Sequence, residues 1–377
     1  MPDDILQNKK VALVHDWLNG MRGGEKCLEV FCEIFPDADL YTLLYEEGTL
    51  SATIEEMSII PSFIQKLPYS FKRYRHYLPL FPIAIERFNL NDYDLILSSS
   101  HCVAKGVRHH GKPYHISYIH APMRYMWGLF DTYFGPQKTN LAVRTIAKAI
   151  RPYLQQWDLK SSNRVHTFLC NSKNIQNRIL EIYHRDSTVI HPPVDLSSFP
   201  AGNGKKNFYL MVGAFAPNKR VDLAIKVFNN LKHPLKIVGS GQDEAYCRSI
   251  ADSNIEFLGN VDDRTISQLY QEAKAFIFPG EDDFGITPLE AQASGTPVIA
   301  FAKGGALETV TEETGIFFNE QTVESLETAV VQFEDQKKIF STEKCVQQAR
   351  RFSRERFKQE IIKALEQGYQ QWQNTEA

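Results

Sequence analysis

No paired-cysteine motif, no long apolar run and no large net charge occur in this sequence, and each absence removes a class of protein. The six cysteines stand at 27, 32, 102, 170, 247 and 345. None forms a CxxC pair, and the spacing suits neither a zinc site nor a disulfide framework. Free thiols of a reducing compartment are expected. No apolar run approaches the roughly 18 residues of a membrane span. The start, "MPDDILQNKKVALVHDW", lacks the successive basic, apolar and small-residue segments of a signal peptide. A cytoplasmic protein is expected, soluble or peripheral on the inner face of a membrane. The net charge of −3 gives no global polyelectrolyte character, and no nucleic-acid partner is expected.

What is present is 377 residues with 43% hydrophobic content, which suggests two domains. Charge is uneven. Residues 61–180 hold 17 Lys and Arg against 5 Asp and Glu, a net of +12. That asymmetry suits an anionic partner, or simply a solvated surface. The densest part is "PSFIQKLPYSFKRYRHYLPLFPIAIERF" (61–88), where Lys72, Arg73 and Arg75 sit among Tyr and Phe. It fits either an anionic membrane surface or ordinary surface over core.

Short, unbroken Val/Ile/Leu/Tyr runs such as "KVALVHD", "YDLILSSS", "YHISYIH" and "HTFLCNS" read as buried strands, each ending in polar residues. Such runs favour a parallel sheet covered on both faces. The stretch 191–207 is rich in Pro, Gly and Ser. Beyond it the strand–helix rhythm restarts: "FYLMVGA" and a helix 221–231, "LKIVGSG" and a helix near 243–252, "IEFLGNV" and a helix near 263–273, "AFIFPG" and a helix 287–294, then "PVIAF". A last amphipathic helix covers roughly 354–372. The fold class is α/β: two doubly wound, Rossmann-like domains facing across a cleft. The expected layout is an N-terminal domain 1–195, a linker 196–206, a second domain 207–350 and a C-terminal helix 351–377.

Chemistry concentrates in two stretches after the linker. In "VGAFAPNKRVDLAI" a strand ends at Gly213, and adjacent Lys219 and Arg220 precede a helix, a place for phosphate. In "GEDDFGITPLEAQASGTPVIA" the acids Glu281, Asp282 and Asp283 stand over a strand end. A helix beginning around Ile286–Pro288 presents free N–H groups to a second phosphate oxygen. Glu290 is expected in its first turn, as a cap or as acceptor for a vicinal diol. Cations and amides for a diphosphate, with acids for two diols, describe a nucleotide-sugar site. The acids at 281–283 also suit a plain solvated turn. Asp282–Asp283 and Asp262–Asp263 lack a further ligand at useful spacing, so no metal or other cofactor is expected. "GMRGGEK" lacks the order of a dinucleotide-binding turn.

These stretches, with "VALVHDWLNGMRGGEK", "SYIHAPMRYMWG", "CNSKNIQNRI", "VIHPPVD" and "GGALETV", resemble the retaining GT-B glycosyltransferases of family 4. The mannosyltransferase-like members that build lipopolysaccharide and other surface glycans are the nearest in pattern. The likeness runs along nearly the whole chain and is strongest over 208–318. The family's glutamate–seven–glutamate signature corresponds to Asp282 and Glu290. Two positions depart from the pattern: Ala214 stands where an Arg is usual, and Asp282 where a Glu is usual.

The resemblance implies an N-terminal acceptor domain, a C-terminal nucleotide-sugar domain and a last helix packed back on the first. It implies that Lys219, with Arg220, binds the leaving diphosphate. Gly213, Phe284, Gly285 and the backbone of Ile286, Thr287, Pro288 and Leu289 would adjoin the donor. Glu290 would hold the ribose diol, and Asp282 or Glu281 the sugar hydroxyls. His120 would lie close to the transferred sugar; otherwise it is a strand-end histidine satisfying backbone. Gly23 and Gly24 would approach the diphosphate and acceptor, with His101 and Arg124 on the cleft. The implied partners are a nucleoside-diphosphate sugar, GDP-mannose by preference, and a glycan or polyprenyl-linked acceptor. A nucleotide-sugar 2-epimerase and a non-catalytic nucleotide-sugar sensor are the other readings.

Overall fold

The computed structural model describes residues 6, 8–111, 113–128, 130–135, 141–202, 204–335 and 340–376. The first five residues and residue 203 of the expected linker lie outside that set. The chain divides into two compact units. One runs to Pro192 and resumes at Phe357; the other is Pro193–Arg356. The division falls just ahead of the stretch read as a linker. That stretch is tied into the second unit: Gly202 N–H donates to Ser294 O at 3.2 Å and Lys206 N–H to Glu272 O at 2.7 Å.

The first unit holds a seven-stranded sheet. Its strands are β1 (Val11–His15), β2 (Asp39–Thr42), β3 (Ser58–Pro61), β4 (Leu95–Ser100), β5 (Tyr114–Ile119), β6 (Thr167–Cys170) and β7 (Thr188–Val189), in the order β3-β2-β1-β4-β5-β6-β7. All neighbours pair in parallel. β1, β4 and β5 are buried along their whole length. Both faces are covered, as their continuous apolar runs require.

One face packs on the helix Gly23–Ile34 and on the last helix, Arg354–Glu376. Phe357, Ile361, Leu365 and Tyr369, at helical spacing, are buried there with Leu13, Phe31 and Tyr118. The other face buries Ala12, Val14 and Ile96 under Ile64, Tyr74, Phe81, Ile85, Ala147 and Leu154. Leu154 belongs to the helix Leu141–Ser162, which was not expected. Proline 152 inside it and its mixed polarity mask the period. A buried ion pair anchors it: Lys105 Nζ lies 2.8 Å from Asp158 Oδ1. Trp127 Nε1 and Tyr183 OH donate to Asp158 Oδ2 at 2.8 and 2.9 Å.

The second unit holds β8 (Tyr209–Val212), β9 (Leu235–Val238), β10 (Ile255–Gly259), β11 (Ala275–Phe278), β12 (Val298–Phe301) and β13 (Gly315–Phe318), all parallel, in the order β10-β9-β8-β11-β12-β13. Its helix Val221–Leu231 matches the expected bounds, whereas the one expected near 243–252 is only Glu244–Ser249. β2, β3, β7 and β13 were missed. Strands of two to four residues are too short to show a period, and their ladders hold them instead.

Candidate functional site

Open parallel sheets bind ligands beyond the carboxyl ends of their strands, where the strand order reverses. The order reverses between β1 and β4 in the first sheet and between β8 and β11 in the second. The chemistry-bearing residues cluster at both points.

At the first point, His15 and Ser99 are register partners at the ends of β1 and β4. His15 Nδ1 lies 3.0 Å from Ser99 Oγ. The same hydroxyl lies 2.8 Å from Nε2 of half-buried His120, just past β5. On the other side, His15 Nε2 is 3.6 Å from the buried carboxylate of Glu25. Glu25 sits in the first turn of the helix that Gly23 opens, and its Oε2 accepts from Arg22 N–H at 3.1 Å. A Cβ on Gly24 would stand 3.5 Å from His15 Cε1 and 3.7 Å from His120 Nε2, so the glycine backbone lies over both rings.

Asp16, fully buried, accepts the backbone N–H groups of His101, Cys102, Val103 and Ala104 at 2.6–2.8 Å. Its Oδ2 is also 3.2 Å from His101 Nδ1. The His101 ring stands edge-on to Trp17, centroids 4.4 Å apart. The carboxylate of Asp16 therefore shapes the turn that carries His101.

Burial holds His120 well below the ordinary histidine range, and the neighbouring His101, His15 and Arg124 act in the same direction, since a second cation among them is disfavoured. Burial likewise lowers His101, although Asp16 opposes it. Both rings are neutral near pH 7. For Glu25, burial acts to raise the pKa, but the contact with His15, the neighbouring His15 and His101 rings and a backbone hydrogen bond together outweigh it, and the net shift is downward.

At the second point, three loops are pressed together. A Cβ on Gly280 would fall 2.4 Å from Asn218 O. One on Gly304 would fall 2.4 Å from Asp282 O, and one on Gly305 2.1 Å from Phe284 O. Any side chain there would drive the loops apart. The acid stretch is thus held between the loop after Gly213 and the "GGALE" turn.

Lys219 forms an ion pair with Asp282, to which Asn218 Nδ2 also donates at 3.3 Å. Glu281 turns the other way, to Lys303 at 3.2 Å. Arg220 bonds to Asp222 at 3.1 Å and to Gln321 O at 3.4 Å, so its charge is already engaged.

The next helix is Ile286–Ala293, entered through Gly285 at φ 88°, a left-handed conformation that glycine adopts without strain. The expectation for Glu290 needs correction. It is the fifth residue of this helix, so it lies in the second turn and does not cap. It is buried, and Tyr270 OH donates to its Oε2 at 3.2 Å. Burial first, and then Glu290, push Tyr270 far above the tyrosine range, so the hydroxyl keeps its proton as donor. Phe284 and Leu289 are core side chains beside Val194 and Phe352, and only their backbone is available to a ligand. Pro288 is buried and has no N–H, which leaves Ile286, Thr287 and Leu289 as amides of the first turn. Among the described residues no cluster of three or more His, Cys, Asp or Glu is arranged to hold a metal ion.

Sequence reasoning missed His15, Asp16, Glu25 and Ser99, and also Tyr270 and Asn218. The signal was visible in "VHD" and "SSS", polar runs closing buried strands, yet only His120 and His101 were singled out.

The sequence model described as "Glycosyl transferases group 1" matches residues 195–352, and that of "Glycosyltransferase Family 4" matches residues 37–198. The chain belongs to the GT-B glycosyltransferases of family 4. Among curated relatives, the O-antigen chain mannosyltransferase RfbU of Salmonella typhimurium is 32% identical over 41% of this chain and 46% of its own length. A GDP-mannose-dependent monoacylated alpha-(1-6)-phosphatidylinositol monomannoside mannosyltransferase of Corynebacterium glutamicum is 36% identical over 27% of this chain and 29% of its own. The chain thus spans less than half the length of these relatives. The GT-B fold itself is shared with Anabaena HepE, solved in complex with UDP, at TM-score 0.66 and 15% identity over 94% of this chain and 99% of HepE.

Proposed function

We propose that the protein transfers a hexose from a nucleoside-diphosphate sugar, with retention of configuration, to a glycan or polyprenyl-linked acceptor. The observation that carries this reading is the second switch point. There Lys219 and the amides opening Ile286–Ala293 offer positive potential for a diphosphate, and Glu290, held by Tyr270, offers a carboxylate for a diol. In the proposed step the bond between the sugar C1 and the diphosphate oxygen breaks, and its electron pair goes to the phosphate. Lys219 and the amides stabilise the charge that develops, as preorganised donors do. The acceptor hydroxyl attacks C1 from the same face and loses its proton to a phosphate oxygen. No side chain serves as nucleophile, unlike the paired carboxylates of retaining glycosidases.

GDP-mannose is the proposed donor, supported by the two mannosyltransferase relatives. Incubation with guanosine and uridine donors, following free nucleoside diphosphate, tests both points. Release of GDP from GDP-mannose is expected. Epimerised donor without release indicates an epimerase, and saturable binding with neither indicates a sensor. Turnover of uridine donors alone overturns the donor.

The proposed site of action is the inner membrane surface. Among the described residues no helix is long and apolar enough to cross a membrane. The first unit exposes Tyr69 (74%), Phe71 and Ile83, and also Leu141 (79%), Val143 and Ile146. These residues stand on segments sharing one core cluster. Lys72, Arg73, Arg75 and Lys148 are exposed on the same segments. Exposed aromatic and aliphatic groups among cations suit an anionic interface. Co-sedimentation with phosphatidylglycerol vesicles is expected, weakened by salt and by Tyr69→Ser with Phe71→Ser. Equal binding to neutral vesicles, or none to either, refutes it.

A further inference from the structure

The chain Glu25–His15–Ser99–His120 has a polarity that its atoms can fix. The Ser99 hydroxyl has one hydrogen and lies within bonding distance of two imidazole nitrogens, His15 Nδ1 and His120 Nε2. It can donate to only one of them and accept from the other, or it accepts from both. His120 Nε2 is bare only where Ser99 donates to it; in every other arrangement His120 carries Nε2–H.

The Glu25 carboxylate selects between them. It faces His15 Nε2 at 3.6 Å, inside the protein, and that nitrogen has no hydrogen-bond partner of good geometry. A lone pair there would point at a buried anion, whereas an N–H would be drawn to it; at low dielectric the difference is large. Where the His15 ring carries a single proton, that proton is on Nε2 and the lone pair is on Nδ1. It accepts the Ser99 hydroxyl, and the Ser99 oxygen accepts from His120 Nε2–H. His120 Nδ1 then carries the lone pair.

We infer that Glu25, His15 and Ser99 are positioning residues that hold His120 in its Nε2–H tautomer, so that Nδ1 is an acceptor for a substrate hydroxyl. The surroundings agree. His101 and Arg124 are the charged or titratable groups felt by His120 besides His15, and both disfavour an imidazolium there. Asp16 is committed to its four backbone amides and to His101. The Tyr118 ring lies 5.1 Å from His120, but its hydroxyl donates to Ile190 O. None of these competes for the Ser99 hydroxyl. Gly24 over both rings leaves the relay without a competing side chain.

The use of Nδ1 by a sugar rests on the glycosyl-transfer reading, but the tautomer does not. The test reads the tautomer directly, by long-range proton–nitrogen correlation on the full chain labelled with 15N-histidine, at pH 7.5 without ligand. His120 is assigned by the signals lost in His120→Gln, or in His120→Asn if the first variant misfolds. Proton-bearing Nε2 and bare Nδ1 are expected. Ser99→Ala should average the two forms and Ser99→Thr should restore one. In turnover, Ser99→Ala should lower kcat about tenfold with KM little changed, the loss for one misdirected hydrogen bond. A bare Nε2, or an averaged pair in the native protein, overturns the inference whatever the donor proves to be. So does a tautomer unmoved by Ser99→Ala in a protein that still folds.

Discussion

Ten of the eleven histidines lie in the first unit, and only His233 lies in the second. The difference reaches the two switch points. Where β1 and β4 part, the groups are imidazoles and a hydroxyl, backed by two buried carboxylates. Where β8 and β11 part, they are a lysine, an aspartate and a buried glutamate. The two units share the strand order over six strands, the first adding β7, but differ in polar chemistry. Neutral, oriented donors and acceptors suit hydroxyls, and a fixed cation with helix amides suits a diphosphate. The fold provides only the place at the strand ends, and the residues closing each strand decide what can be held there.

The largest effect should come from removing the charge of the second unit. Lys219→Ala with Arg220→Ala should cost about 3 kcal/mol or more of transition-state stabilisation, by analogy with a lost oxyanion donor. Each cation is held by a carboxylate, Lys219 by Asp282 and Arg220 by Asp222, and the two single variants should divide the effect between them. Near-normal kcat in the double variant would remove the phosphate assignment and the contrast with it.

Next comes Asp282→Ala, with a loss of roughly tenfold to a hundredfold in turnover, the worth of a hydrogen bond to a charged group. Glu281→Ala should change little, since its carboxylate is on Lys303 at the surface. Steady-state kinetics of both variants would settle the register. The reverse pattern would move the sugar contact to Glu281.

A smaller, graded effect should separate the units by pH. His101, His109, His115 and His120 all have pKa values lowered by burial. A depressed folded value means that the unfolded chain takes up protons first. The stability is complete above the unfolded pKa of about 6.5 and is lost as pH falls below it toward the folded values. The slope is at most about 1.4 kcal/mol per group per pH unit. All four tryptophans, 17, 127, 157 and 372, belong to the first unit. Urea unfolding followed by tryptophan fluorescence should therefore show a falling midpoint between pH 7.5 and 5. A flat profile would mean that these rings are not buried neutral.

The smallest expected change is with EDTA, which should leave turnover unaltered if Lys219 and the helix amides serve where a metal would otherwise clamp the diphosphate. Collapse on chelation, restored by magnesium, would show that the second unit needs a cation it does not itself supply.

Much of the scaffold was legible because its signals are local. Unbroken apolar runs marked β1, β4, β5, β8 and β11, and helical spacing marked Val221–Leu231 and the last helix. The acid-to-acid spacing of Asp282 and Glu290 and the neighbouring lysine were also visible in the chain. Glu290 was misplaced by one turn because the helix start depends on the conformation of Gly285, which residue type allows but does not impose. The long helix Leu141–Ser162 stayed hidden because its anchor, Asp158, is paid for by Lys105, Trp127 and Tyr183 from elsewhere in the chain.

Residue order alone therefore established the α/β class, the two-unit plan and the stretches where polar groups close apolar strands, since each depends on neighbours a few residues apart. Tertiary structure alone decided the partners. His15 meets Ser99, 84 residues away, only because β4 lies beside β1. Lys219 meets Asp282 only because β11 lies beside β8. Strand order arises from packing the whole sheet, and no local pattern encodes it. The separation of Asp282 from Glu281 has the same origin: adjacent in the chain, they point to different lysines because three loops are pressed together at glycines.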